Sequence, residues 1–148
     1  MKLPGKCSVN TKMIIHQSNI NVPISAAFIN ILYEEMTLSG VIDSMKTDVT
    51  LNFRDQQYSA ENGGFHPVEI RLVRRNNEWH FDYLTDFSYM GRVYPELEKE
   101  FDVSWSMGYI WHYIMGDIDA EEGGELFELW QRNFIQYWKV GIYAVTVS

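Results

Sequence analysis

With one cysteine, Cys7, the chain cannot form an intrachain disulfide, and a reducing compartment is the simpler expectation. No apolar run approaches the roughly 20 residues that a membrane-spanning helix needs. Lys2 and Lys6 resemble the start of a secretory signal, but Ser8, Asn10, Thr11 and Lys12 interrupt any apolar segment behind them, so none is expected. The cytoplasm is therefore the expected location. Catalytic signatures are missing as well: there is no nucleophile elbow, phosphate loop with its lysine, dinucleotide fingerprint or paired zinc cysteines, and no internal repeat. Gly63-Gly64 fails as a phosphate loop because a strand pattern, not a helix, follows it. These absences make catalysis the weaker expectation, although an active site built from single residues on separate strands would carry no motif.

Positive charge is also scarce, with 12 Lys and Arg against 20 Asp and Glu, a formal net charge of −8. The deficit is local. Residues 96–128 hold ten carboxylates against Lys99 alone, while the rest of the chain is close to balanced. Such a segment repels phosphate backbones, which disfavours direct nucleic-acid binding and opens the way to a basic protein partner or a DNA-mimicking role. The plainer reading is a solvated face that promotes solubility.

What remains is patterned as an α+β domain. At 148 residues, a single domain burying roughly 68–70% of its unfolded surface is expected, with residues 1–19 as a loosely ordered arm and Met13 to Ile15 as a short strand within it. Between Pro23 and Ser39, Ile24, Ala27, Phe28, Ile31, Leu32 and Leu38 recur at helical spacing, and Gly40 supplies a stop. Glu34 and Glu35 lie off this stripe and read as solvent-facing rather than catalytic. Val49, Leu51 and Phe53 alternate as one face of a strand, with Gln56 to Ala60 as a candidate hairpin partner. Phe101, Val103 and Trp105 alternate likewise, after a loop from Ser88 to Pro95. Tyr109 to Met115, between two glycines, reads as a strand buried on both faces, with His112 inside it. Leu126, Phe127, Trp130, Phe134, Tyr137 and Trp138 form the stripe of a helix from Glu125 to Lys139, and Ile142 to Ser148 reads as a closing strand. The fold expected is a twisted antiparallel sheet of six to seven strands packed against an N-terminal and a C-terminal helix.

The central hairpin carries the most information. Val68 to Arg74 and Glu78 to Phe87 both alternate, and Asn76-Asn77 between them suits a two-residue turn with positive φ. That turn sets Leu72 opposite Phe81, Ile70 opposite Tyr83 and Val68 opposite Thr85, and pairs Arg71 with Asp82 on the other face. His66, His80, Asp82 and Asp86 invite a metal or acid/base reading, and the same register places His80, Asp82 and Asp86 on one face. Arg71 beside Asp82 opposes that reading, and His66 before Pro67 reads as a loop residue that bonds backbone, so no metal and no cofactor is expected. Asp117, Asp119 and Glu121 have calcium-like spacing, but Glu122 stands where the calcium loop requires glycine.

Three segments, Glu61 to Leu72 (ENGGFHPVEIRL), Trp79 to Tyr89 and Leu129 through Tyr143 to Ser148, together resemble an uncharacterised bacterial family, domain of unknown function family 2787, over roughly Pro23 to Ser148. The resemblance implies a fold similar to the acidic mitochondrial matrix glycoproteins of the complement-receptor type, a sheet flanked by helices and prone to self-assembly. Those glycoproteins are multiligand binders without established catalysis, so no catalytic residue carries over. The function expected is a non-enzymatic binding or assembly module that engages a protein partner through Glu96, Glu98, Glu100, Asp117, Asp119, Glu121 and Glu122. The alternatives are a metal-dependent or acid/base enzyme using His66, His80 and Asp86, and a structural protein that self-associates as a homo-oligomer.

Overall fold

The computed structural model describes residues 13–148; Cys7 and the basic residues near it lie outside them. In chain order the elements are β1 (Ile15–His16), α1 (Ala26–Ser39), a 3-10 turn (Val41–Asp43), β2 (Asp48–Arg54), β3 (Val68–Arg75), β4 (Glu78–Met90), β5 (Glu96–Ser104), β6 (Tyr109–His112), β7 (Gly116–Asp117), α2 (Ala120–Lys139) and β8 (Ala144–Val147). The strands form one sheet in the order β7-β6-β5-β4-β3-β2-β8, every pair antiparallel, with β1 added in parallel to β4 where β5 does not reach. This is the expected α+β architecture.

Both helices lie on one face of the sheet. Phe28 of α1 stacks on Phe81 of β4, and Phe134 of α2 meets Phe28 and Phe53 of β2 edge to face. Val49, Leu51 and Phe53 are fully buried, as their alternation requires. In α1, Phe28, Ile31, Leu32 and Met36 are buried, but Leu38 is 76% exposed, so the inward stripe is narrower than the sequence pattern. Ser25 caps the helix start, which leaves Pro23 outside it, and Gly40 ends it at φ 80°. Trp138 donates its indole N–H to Glu35 at 2.8 Å, tying the two helices together.

Several boundaries differ from the sequence reading for local reasons. Gln56 to Ala60 forms turns rather than a strand, and β3 is the partner of β2. β4 continues to Met90, so Ser88 is in the sheet and the loop shrinks to residues 91–95. The aromatic run ends as a strand at His112: Gly116 at φ 71° closes a turn in which Tyr113, Ile114 and Met115 are 46%, 71% and 50% exposed. His112 is the last strand residue, half-buried rather than in the core, and its Nδ1 accepts from the Ile114 N–H at 3.2 Å. Asp119 caps α2, so the calcium-like segment is an edge strand followed by the first helical turn. The expected N-terminal arm is described only from Met13, and there Gln17 Oε1 accepts from the Trp105 indole at 2.9 Å while Asn19 donates to the Trp105 carbonyl at 2.7 Å.

The hairpin register needs one correction. Asn76 and Asn77 take φ of 54° and 64°, as a two-residue turn demands, and Leu72 faces Phe81. Between Arg71 and Leu72 the ladder then slips, so Ile70 faces Leu84 rather than Tyr83, and Val68 faces Asp86 rather than Thr85. β4 carries one extra residue there, a β-bulge that reverses the facing of everything beyond it. A second slip between Asp86 and Phe87 leaves Glu100 of β5 without a direct partner.

Candidate functional site

The two bulges and one glycine turn assemble a site that the regular register would not. Gly64, at φ 130°, sits where a Cβ would come within 2.8 Å of Asp55 and 3.0 Å of the Tyr58 backbone. Asp55 Oδ2 accepts the Phe65 N–H at 3.0 Å, and the Pro67 carbonyl accepts the Phe87 N–H at 3.0 Å. These bonds hold His66 against the far half of β4. The first bulge turns Asp86 onto the helix-facing side, where it is 8% exposed. Its Oδ1 lies 2.9 Å from His66 Nδ1, and its Oδ2 accepts the Trp130 indole N–H from α2 at 2.8 Å. Glu100, freed from the ladder by the second bulge, brings Oε2 to 3.5 Å from the same imidazole nitrogen.

The electrostatics follow from this packing. The hydrogen bond to Asp86 raises the His66 pKa above its ordinary value; burial opposes this, and the charges of Asp86 and Glu100 add to it. Beside the triad opens a cavity of about 280 Å³ lined by Phe65, Trp130, Phe134, Tyr137 and Tyr143. Burial, and then the Asp86 charge, push the Tyr143 hydroxyl well above the ordinary tyrosine range. The arrangement can hold a cation between its donors, or keep a proton on His66 for transfer into the cavity.

His80 and Asp82 do not join it. Asp82 forms an ion pair with Arg71, whose other nitrogen meets Asp48 at 3.0 Å. His80 stacks obliquely on His16 at 5.0 Å between ring centres, and its buried Nδ1 has no hydrogen-bond partner among the described residues. The bulge separates them from Asp86, so the expected sharing of one face by His80, Asp82 and Asp86 is wrong, as is the expectation that His66 bonds backbone. Two residues of the site escaped the sequence reading in this role: Trp130, taken only as core, and Glu100, taken as a surface contact. The signal for the bulge lay in the phase of the alternation. Trp79 and Phe81 are buried at odd positions, and Leu84 is buried at an even one.

The other residues of the expected contact surface stay exposed. Glu96 and Glu98 lie on the half of β5 that β6 does not pair, Asp117 is on edge strand β7, and Asp119, Glu121 and Glu122 open α2. All six are exposed, and among the described residues none makes an ion pair. Lys99, the segment's one base, reaches inward to Asp102 at 3.5 Å. Asp102 is 2% exposed on the face away from the helices and accepts Thr85 and Tyr109 hydroxyls at 2.6 Å each, a bond that pushes Tyr109 up to about 12.

Among known families, the one described as "Protein of unknown function (DUF2787)" matches residues 26–148. The chain belongs to this family. Among solved structures, the DUF2787 chain is similar to the hypothetical protein VC0508 from the VSP-II pathogenicity island of Vibrio cholerae, at 32% identity and a TM-score of 0.79, over 91% of this chain and 99% of that one. It is also similar to the conserved hypothetical protein VC1805 from pathogenicity island VPI-2 of Vibrio cholerae O1 biovar eltor, at 31% identity and a TM-score of 0.78, over 91% and 100%. VC1805 is described as sharing structural homology with the human P32 protein. No curated protein matches the chain. Among the described residues of this DUF2787 chain, no helix is long and apolar enough to cross a membrane.

Proposed function

We propose that this protein is a non-enzymatic module that binds a basic protein partner in the cytoplasm through its acidic surface. The observation that carries this reading is the uncompensated charge: Glu96, Glu98, Asp117, Asp119, Glu121 and Glu122 are exposed, and no Lys or Arg among the described residues neutralises them. A surface meant only for solubility works with mixed signs, whereas exposed carboxylates without bases between them steer an oppositely charged partner and raise its association rate. The resemblance to acidic matrix glycoproteins that bind many ligands points the same way. Glu100 leaves this surface, because it turns to His66 and is half-buried. The enzymatic alternative keeps His66 and Asp86 but loses His80, which sits with His16 instead.

The test is affinity capture from the source cells with the wild-type protein and with a Glu96→Lys/Glu98→Lys/Asp117→Lys variant. Asp119 is left intact because it caps α2. Proteins captured by wild type at low salt are expected to be absent from the variant. A basic protein retained equally by both would refute the reading.

A further inference from the structure

We propose that His66, Asp86 and Glu100 form a binding site for one divalent transition-metal ion, with a coordination position open to the adjoining cavity. The site is separate from the acidic surface and adds to the binding function.

Donor chemistry comes first. One imidazole nitrogen and two carboxylate oxygens suit zinc, manganese or ferrous iron, and the absence of thiolates and of a ring of carbonyls argues against copper(I) and calcium. Spacing comes second. Donors held about 2.0–2.2 Å from one ion stand about 2.9–3.5 Å from each other in octahedral or tetrahedral arrangements. His66 Nδ1 lies 2.9 Å from Asp86 Oδ1 and 3.5 Å from Glu100 Oε2, and all three donor atoms fall within 4.8 Å of one another.

Charge is the third, independent observation. Asp86 is buried and Glu100 half-buried, and among the described residues neither contacts a Lys or Arg. Two carboxylates facing one imidazole nitrogen in a partly desolvated pocket favour a positive charge between them; a proton on His66 supplies one, and an ion supplies it with three protein ligands already converged. The surroundings match such a centre. The Trp130 indole N–H fixes the second oxygen of Asp86 at 2.8 Å, which is how an outer-shell donor orients a carboxylate ligand. The cavity of about 280 Å³ on the helix side leaves room for water or a small ligand at the remaining positions.

Untagged protein, stripped with a chelator, is titrated with Zn2+ and Mn2+ in a calorimeter, and with Co2+ followed by visible absorption. One equivalent per chain is expected, with a Co2+ spectrum of low coordination number. Glu100→Gln, isosteric at a half-buried bulge position, is expected to weaken binding at least tenfold, and His66→Ala likewise. His80→Ala is expected to change nothing. Failure of every ion to bind at millimolar concentration would overturn the proposal. So would binding undiminished in both Glu100→Gln and His66→Ala, or binding lost in Glu96→Lys/Glu98→Lys instead, which would place the ion on the open acidic surface.

Discussion

One extra residue in β4 decides which side chains meet. Without the bulge, Asp86 would lie with His80 and Asp82 on the open face, and His66 would lose its hydrogen bond to it. With it, Asp86 faces Trp130 and His66. The turn residues Asn76 and Asn77 and the first pairings are legible in the sequence because a two-residue loop admits one register. The slip at Arg71 is not, because Tyr83 is large and amphipathic and continues the expected alternation while its hydroxyl donates to Glu69 at 2.5 Å on the other face. Left behind by the same bulge, His80 has its pKa lowered by burial first, then by the charges of Arg75 and His16, with Glu78 opposing. A histidine with a depressed folded pKa contributes stability that is complete above the ordinary value and fades as pH falls towards the folded one. Urea unfolding at about pH 7.5 and about pH 5 should therefore show a larger acid-induced loss in wild type than in His80→Gln. Equal losses would mean that His80 titrates freely.

At the scale of elements, the helices illustrate what patterning can and cannot reveal. The stripe Phe127, Trp130 and Phe134 is plain in the sequence and packs as read. The true start of α2 is hidden, because Gly123-Gly124 resembles a loop. Gly123 is buried in the helix because β6 passes close by: a Cβ there would stand 2.5 Å from Ile110 Cδ1 and 3.3 Å from Ile110 Cβ. Glycine is thus selected by packing against the sheet and not by backbone flexibility, a reason that no propensity scale contains. Gly123→Val should cost about 1–3 kcal/mol in chemical denaturation through overpacking against Ile110. Gly123→Val with Ile110→Ala should recover part of that loss, and no recovery would mean that the contact with Ile110 is not the cause. β6 was read too long for a related reason. Aromatic and β-branched residues favour strands wherever they fall, and only Gly116 marks where the chain turns away.

For the molecule as a whole, fold class was the most legible feature, since alternating strands and two amphipathic stripes leave few ways to cover one face of a sheet. The acid segment was legible as a number but not as a shape. The fold divides it into eight exposed carboxylates, a buried Asp102 satisfied by hydroxyls, and Glu100 committed to His66. That division separates the charge available for a partner from the charge already engaged within the molecule. Exposed charges act over a Debye length of about 8 Å at physiological salt, so attraction through them must weaken as salt rises. The most direct measurement is the salt dependence of affinity for a captured partner, compared between wild type and Glu96→Lys/Glu98→Lys/Asp117→Lys. A steep fall in wild-type affinity with rising salt, and weak salt-insensitive binding by the variant, is the predicted result. Equal affinities and equal salt slopes in the two proteins would contradict it.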